Sequence, residues 1–68
     1  MKAITGKEFC KVLEKKGWKL LRINGSHHIY SDSTGDLRLS IPVHGNENLK
    51  VGLLHRLMKD SFLSEGDF

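Results

Sequence analysis

The sequence has one cysteine and no long apolar run, and each shortage excludes a class of protein. A single cysteine, Cys10, cannot form an internal disulfide, which excludes a small secreted scaffold held by disulfides. No apolar stretch approaches the roughly 20 residues needed to span a membrane, and the N terminus lacks the apolar core of a secretory signal. These absences predict a soluble cytoplasmic protein that makes no membrane contact.

Basic residues are missing from the C-terminal end and abundant elsewhere. Residues 1–59 contain all eleven Lys and Arg against five acids, which gives a net charge of +6, whereas residues 60–68 carry −3. A basic body of this kind attracts polyanions, nucleic acid first among them, although the same charge also serves ordinary solubility. At 68 residues, the chain is long enough for one small domain and no more.

The first element is predicted to be a helix with clear start and stop signals. Thr5 and Glu8 have the spacing of a capping box, in which each satisfies an open backbone amide of the other. Phe9 and Leu13 then fall on one apolar face. Gly17 supplies the left-handed conformation that commonly ends a helix.

Three short β-prone segments follow this helix. Residues 18–23 and 27–31 are predicted to be strands joined by a type I′ turn with residues 24–25 at its centre, since Asn-Gly tolerates positive φ. Residues 37–41 alternate apolar and polar side chains, as a half-buried strand does, and Pro42 ends them. Strict alternation in the first strand would place its two cations, Lys19 and Arg22, on opposite faces.

A second helix completes the chain, with Asn46 or Asn48 as its cap and an apolar face at residues 53–58. The predicted fold class is therefore α+β, in the order α-β-β-β-α. A three-stranded antiparallel sheet of this kind can bury one face under two helices and leave the other open. The open face is where a functional site is expected.

Two adjacent histidines, His27 and His28, begin the second strand directly after the turn. Because neighbouring strand residues point to opposite faces, the two histidines diverge, and no His-x-x-x-His or Cys-x-x-Cys pair accompanies them. No metal site is therefore predicted. A histidine near neutral pH can instead take the proton of a ribose 2′-OH, whose oxygen then attacks the adjacent phosphate, without metal or cofactor. From spacing alone, two ordinary strand residues remain the commoner explanation.

Four segments of the sequence resemble, in this order, the HicA family of small mRNA-cleaving toxins, which HicB antitoxins inhibit. They are residues 13–18 (LEKKGW), 25–30 (GSHHIY), 41–46 (IPVHGN) and 49–54 (LKVGLL). The resemblance implies a single HicA-like domain over residues 1–68, with the α-β-β-β-α fold of double-stranded-RNA-binding domains. It also implies ribosome-independent cleavage of mRNA by a histidine of the Gly-Ser-His element, and a HicB-like antitoxin that covers the site.

The first histidine after Gly-Ser is His27, which the resemblance implies is the catalytic residue. Some relatives use the next position, so His28 is the second candidate. If Tyr30 packs toward the helices, His28 shares its face and His27 lies on the open one. The candidate RNA contacts are Ser26, Lys19, Arg22, Arg38 and Lys50. Two other functions stay open, namely a non-catalytic RNA-binding module and an inactive toxin that only binds an antitoxin.

Overall fold

The fold consists of two helices and a three-stranded sheet, described for residues 3–68 by a computed structural model. Met1 and Lys2, part of the N-terminal segment considered above for a secretory signal, lie outside the described residues. The elements are α1 (Gly6–Lys15), β1 (Lys19–Asn24), β2 (His27–Ser31), β3 (Arg38–Pro42), α2 (Val51–Ser61) and a 3₁₀ turn (Glu65–Asp67). The strands are antiparallel in the order β1-β2-β3, which confirms the predicted α-β-β-β-α fold.

Helix α1 begins at the predicted capping box and ends at the predicted glycine. Thr5 Oγ1 accepts the Glu8 N–H at 3.1 Å, and Glu8 Oε1 accepts the Thr5 N–H at 3.1 Å. At the other end, Gly17 has a φ of 95°, which turns the chain so that the Trp18 N–H donates to the Leu13 carbonyl at 3.0 Å. The side chain of Trp18 is buried, so the turn that ends α1 also anchors the start of β1.

The core lies between the helices and one face of the sheet. Tyr30, Leu39 and Ile41 are buried on the sheet side of this core. Their main partners from the helices are Phe9, Leu13, Leu54, Leu57 and Met58. Of the strand side chains that point the other way, those of Arg22, Arg38 and Ser40 are exposed. One face of the sheet is therefore packed under both helices, and the other is open.

The β1–β2 turn lies where it was predicted, but its geometry differs. Asn24 pairs with His27, so the two loop residues are Gly25 and Ser26. Within this turn only Gly25 has a positive φ, of 63°. Positive φ confined to the first central position is the pattern of a type II′ turn, and the predicted type I′ turn is wrong. The reason is that β-pairing continues through Asn24, which keeps that residue in the strand.

Strand β1 contains a β-bulge that the predicted alternation missed. The pairing with β2 skips Leu21, which is the extra residue of the bulge. Lys19 lies opposite Ser31, and Arg22 lies opposite Ile29. Because directly opposite residues of an antiparallel pair point to the same face, both cations lie on the open face. The prediction that Lys19 and Arg22 lie on opposite faces is therefore wrong.

Helix α2 begins later than the sequence predicted. Its N-cap residue is Lys50, whose side chain makes no capping hydrogen bond. Asn48 instead pairs with Thr5 in an isolated β-bridge. This pairing holds the chain extended against the start of α1, so the prediction of Asn46 or Asn48 as the cap is wrong. Of the helices within residues 3–68, none has the length and apolar content needed to cross a membrane.

The acidic C-terminal segment packs against α1, on the helix side of the sheet. Asp67 Oδ1 lies 3.0 Å from Lys16 Nζ, and the rings of Phe68 and Phe9 are 5.3 Å apart between centroids. The backbone N–H of Ser64 and the Lys16 ammonium hold the pKa of Asp67 below its usual value. These contacts keep the negative charge of residues 64–68 away from the open face.

Candidate functional site

His27 is exposed on the open face of the sheet at the start of β2. Its Nδ1 lies 3.3 Å from Ser40 Oγ on β3. In the tautomer with its proton on Nδ1, the imidazole donates to Ser40, and the lone pair of Nε2 is available to accept a proton. Among the described residues, Nε2 has no hydrogen-bond partner. The arrangement thus orients one ring nitrogen and leaves the other open to a ligand.

Strand pairing on both sides holds His27 in place. It pairs with Asn24 on β1 and with Pro42 on β3. Beyond it, the Ser26 carbonyl accepts the Val43 N–H at 2.7 Å, which extends the β2–β3 contact into the turn. This hydrogen bond is a structural role for the Ser26 backbone, whereas a contact of its side chain with RNA stays a prediction.

The open face is positively charged. Lys19, Arg22 and Arg38 share this face with His27, as the strand register requires, and all three are exposed. The three strands contain no Asp or Glu. The face is therefore suited to contact phosphates with its cations while His27 reaches a sugar.

His28 points to the opposite face and lies in a different environment. It is half-buried and lines a cavity of about 430 Å³ between α1 and the sheet. The other lining residues are Lys7, Cys10, Lys11, Glu14, Leu20, Tyr30 and Val43. Tyr30 shares the face of His28 and is fully packed, with 1% of its surface exposed. Because Tyr30 packs toward the helices and His28 shares its face, His27 lies on the open face.

Two ionisable groups beside His28 are held in their protonated forms. Burial raises the pKa of Tyr30 above its usual range, and its hydrogen bond to Glu14 raises it further. Burial also raises the pKa of the Cys10 thiol. A reactive cysteine needs the thiolate form, so the environment of Cys10 is that of a packing residue and not of a nucleophile.

Residues 3–68 contain no group of three or more His, Cys, Asp or Glu side chains placed to hold a metal ion. The remaining histidines are also dispersed. His44 lies in the loop after β3, and His55 lies on the exposed side of α2.

Comparison with known protein families identifies the family of this chain. A family model described as the HicA toxin of bacterial toxin–antitoxin systems matches residues 6–62. The chain belongs to the HicA toxin family. The match runs from the first residue of α1 to the residue after α2, so it includes all three strands and both adjacent histidines. No curated protein sequence matches this HicA-family chain.

The structure brings together most, but not all, of the residues predicted for the site. Lys19, Arg22 and Arg38 share the open face with His27. Lys50 lies elsewhere, at the N-cap of α2, where it lines a cavity beside Pro42.

Sequence reasoning missed Ser40 as the partner of His27. The alternation of β3 was a signal that Ser40 is on the open face. Its proximity to His27 depends on the register between β2 and β3, which no local pattern encodes.

Proposed function

We propose that this HicA-family toxin is a ribosome-independent mRNA endonuclease in which His27 is the catalytic residue. One observation supports this most directly: an exposed imidazole, oriented through Nδ1 by Ser40, on a sheet face with three cations and no acid. Membership of the HicA toxin family supports a toxic activity.

The proposed reaction is a transfer within the RNA backbone. Nε2 of His27 takes the proton of a ribose 2′-OH, and the 2′-oxygen bonds to the adjacent phosphorus. The bond from phosphorus to the 5′-oxygen then breaks, and that oxygen takes a proton from solvent. Cations of the open face stabilise the charge that builds on the phosphoryl oxygens. The products are a 2′,3′-cyclic phosphate and a 5′-hydroxyl, and the reaction needs no metal.

His28 remains the second candidate for the same reaction. Its ring lines the cavity under α1, where Lys7 and Lys11 are the nearby cations. Single-stranded RNA reaches the open face without entering a cleft, whereas it would have to enter this cavity to reach His28. Accessibility therefore favours His27, and the two positions make a matched pair for mutation.

The second proposed partner is a HicB-like antitoxin. The family is defined by toxin–antitoxin pairing, and an uninhibited ribonuclease would be harmful to its own cell. We propose that the antitoxin prevents RNA from reaching the open face.

The decisive experiment incubates the purified chain with a single-stranded mRNA and compares His27→Ala, His28→Ala and His55→Ala. We expect His27→Ala to abolish cleavage, while the exposed helix variant His55→Ala cleaves like wild type. EDTA should have no effect, and 2′-O-methylation of the RNA should block cleavage without preventing binding. Circular dichroism of each variant shows whether the fold is retained.

Other outcomes of this assay would overturn the proposal in defined ways. Loss of cleavage only in His28→Ala would support the same nuclease function with His28, and not His27, as the catalytic residue. RNA binding without scission by the folded wild type would indicate an RNA-binding module. Antitoxin binding with no effect on RNA would indicate an inactive toxin.

A further inference from the structure

Among the strands that the structure describes, none pairs with the outer edge of β1. β1 is the first strand in the order β1-β2-β3, so only one of its two edges is paired. Within residues 3–68, no other backbone hydrogen bond or isolated bridge involves residues 19–24. A six-residue strand of this kind presents a row of open N–H and C=O groups to any extended chain that approaches it.

The side chains of β1 are unusually apolar for an exposed edge. Leu20, Leu21 and Ile23 are 43%, 48% and 55% exposed, so half of the strand consists of large apolar residues in contact with water. The opposite edge strand β3 is different, because its exposed side chains are those of Arg38 and Ser40 and it ends in a proline. Charged side chains and proline are common means of protecting an edge from pairing. β3 has both. β1 has two charged residues but no proline, and its three exposed apolar side chains leave a surface that suits a partner.

The charges of β1 indicate the chemistry of that partner. Its only charged residues are Lys19 and Arg22, both cations on the open face. A second copy of the chain paired along β1 would bring these cations against each other, which is unfavourable across adjacent strands. A strand that alternates acidic and apolar residues would instead place carboxylates beside Lys19 and Arg22.

We propose that β1 is the docking edge for the antitoxin, which adds an extended strand of alternating acidic and apolar residues to the sheet. Backbone hydrogen bonds along β1 supply affinity, and contacts with Leu21 and Ile23 supply specificity. The added strand lies next to Arg22 and near the end of β1 where Asn24 pairs with His27. Docking here therefore blocks the open face from RNA. This inference rests on the proposed antitoxin partner, but not on catalysis by His27.

The test uses calorimetry to measure the binding of a purified HicB-like antitoxin to the wild-type chain and to two double variants. Leu21→Glu/Ile23→Glu places like charges against the acidic strand, and we expect at least a tenfold loss of affinity. Val51→Glu/Phe62→Glu is the matched control, because these residues are equally apolar and even more exposed, at 66% and 82%. The control should bind within about twofold of wild type, and thermal melts of both variants show whether they fold.

Hydrogen exchange of the complex tests the backbone pairing independently of any mutation. Amides of β1 that point away from β2 should exchange more slowly when the antitoxin is bound. Unchanged exchange across residues 19–24, or wild-type affinity of Leu21→Glu/Ile23→Glu, would overturn the proposal. If the free wild-type chain dimerises and Leu21→Glu/Ile23→Glu abolishes this dimer, the edge of β1 would instead bind a second copy of the chain. A wild-type chain that binds antitoxin through β1 but leaves RNA intact would refute the nuclease and leave this inference standing.

Discussion

The Tyr30 hydroxyl donates a hydrogen bond of 2.6 Å to Glu14 Oε2, which ties the middle of the sheet to the last turn of α1. The two partners differ in burial, because the tyrosine is in the core and Glu14 is exposed. In Tyr30→Phe, water can replace the lost donor at Glu14, so we expect a loss of about 1 kcal/mol. In Glu14→Ala, a buried hydroxyl loses its acceptor, and the loss should be larger, about 2 kcal/mol.

Urea unfolding of the two variants measures this difference directly. Glu14→Gln keeps an acceptor oxygen at the same position and should recover part of the stability lost in Glu14→Ala. Equal losses in Tyr30→Phe and Glu14→Ala would contradict this expectation, because they would mean that leaving the hydroxyl without its acceptor carries no extra cost.

Stability is expected to fall at alkaline pH because of Tyr30 and Cys10. Burial raises the pKa of both groups above their ordinary values of 10.0 and 9.0. Above these values the unfolded chain releases the two protons while the folded chain retains them, so the free energy of unfolding decreases as pH rises. Below pH about 9, both groups are protonated in the folded and unfolded chains, so their full contribution to the free energy of unfolding is present. The midpoint of urea unfolding, measured between pH 8 and 11, should fall less steeply in Tyr30→Phe than in wild type.

Local signals were sufficient to predict much of the fold. The capping box of Thr5 and Glu8 and the glycine that ends α1 involve residues close in sequence, so a pattern can identify them. The predicted strand at residues 27–31 matches β2 for the same reason, since a turn signal precedes it and a turn cluster follows. His27 could be assigned to the open face because Tyr30, three residues later, is a large aromatic residue expected in the core. Side chains alternate along the strand, so residues three apart point to opposite faces.

The features that sequence analysis missed depend on contacts between distant residues. The bulge at Leu21 exists only in the pairing of β1 with β2, and no glycine marks it. The start of α2 depends on the bridge between Asn48 and Thr5. The hydrogen bond between Ser40 and His27 depends on the register of β3. Each of these relationships is set by tertiary pairing and has no signature in the residues around it.

Neutralising cations of the open face should weaken RNA binding in a way that depends on salt. Arg22→Gln and Arg38→Gln each remove one candidate phosphate contact, so the slope of log affinity against log salt should become shallower by about 0.7 for each. Lys15→Gln on α1 is the matched control and should leave the slope unchanged. Binding to a 2′-O-methylated RNA, measured by fluorescence anisotropy, separates this effect from cleavage. A reduced slope in Lys15→Gln alone would place the RNA on the helix side.

Two helix glycines should respond in opposite ways to replacement by alanine. Gly6 is buried, and a Cβ added there would collide with the Pro42 carbonyl oxygen, which belongs to the backbone of β3. Gly6→Ala should therefore cost about 1–3 kcal/mol. Gly52 is exposed on α2 with no atom within 4 Å of an added Cβ. Gly52→Ala should stabilise the protein by about 0.5 kcal/mol, because alanine favours the helix. Thermal unfolding of both variants checks the contrast.

Ser40 is expected to act on cleavage by positioning His27, without touching the RNA. Its hydroxyl lies 3.3 Å from His27 Nδ1, and its side chain is exposed, so Ser40→Ala should leave stability unchanged. The loss of one hydrogen bond worth about 1 kcal/mol corresponds to a fall in kcat of about fivefold, with KM unaffected. Ser40→Thr retains the hydroxyl and should recover most of the rate, whereas Ser33→Ala in the exposed loop should have no effect. A raised KM with normal kcat in Ser40→Ala would show instead that Ser40 contacts the RNA, since only a binding contact changes affinity without altering the chemical step.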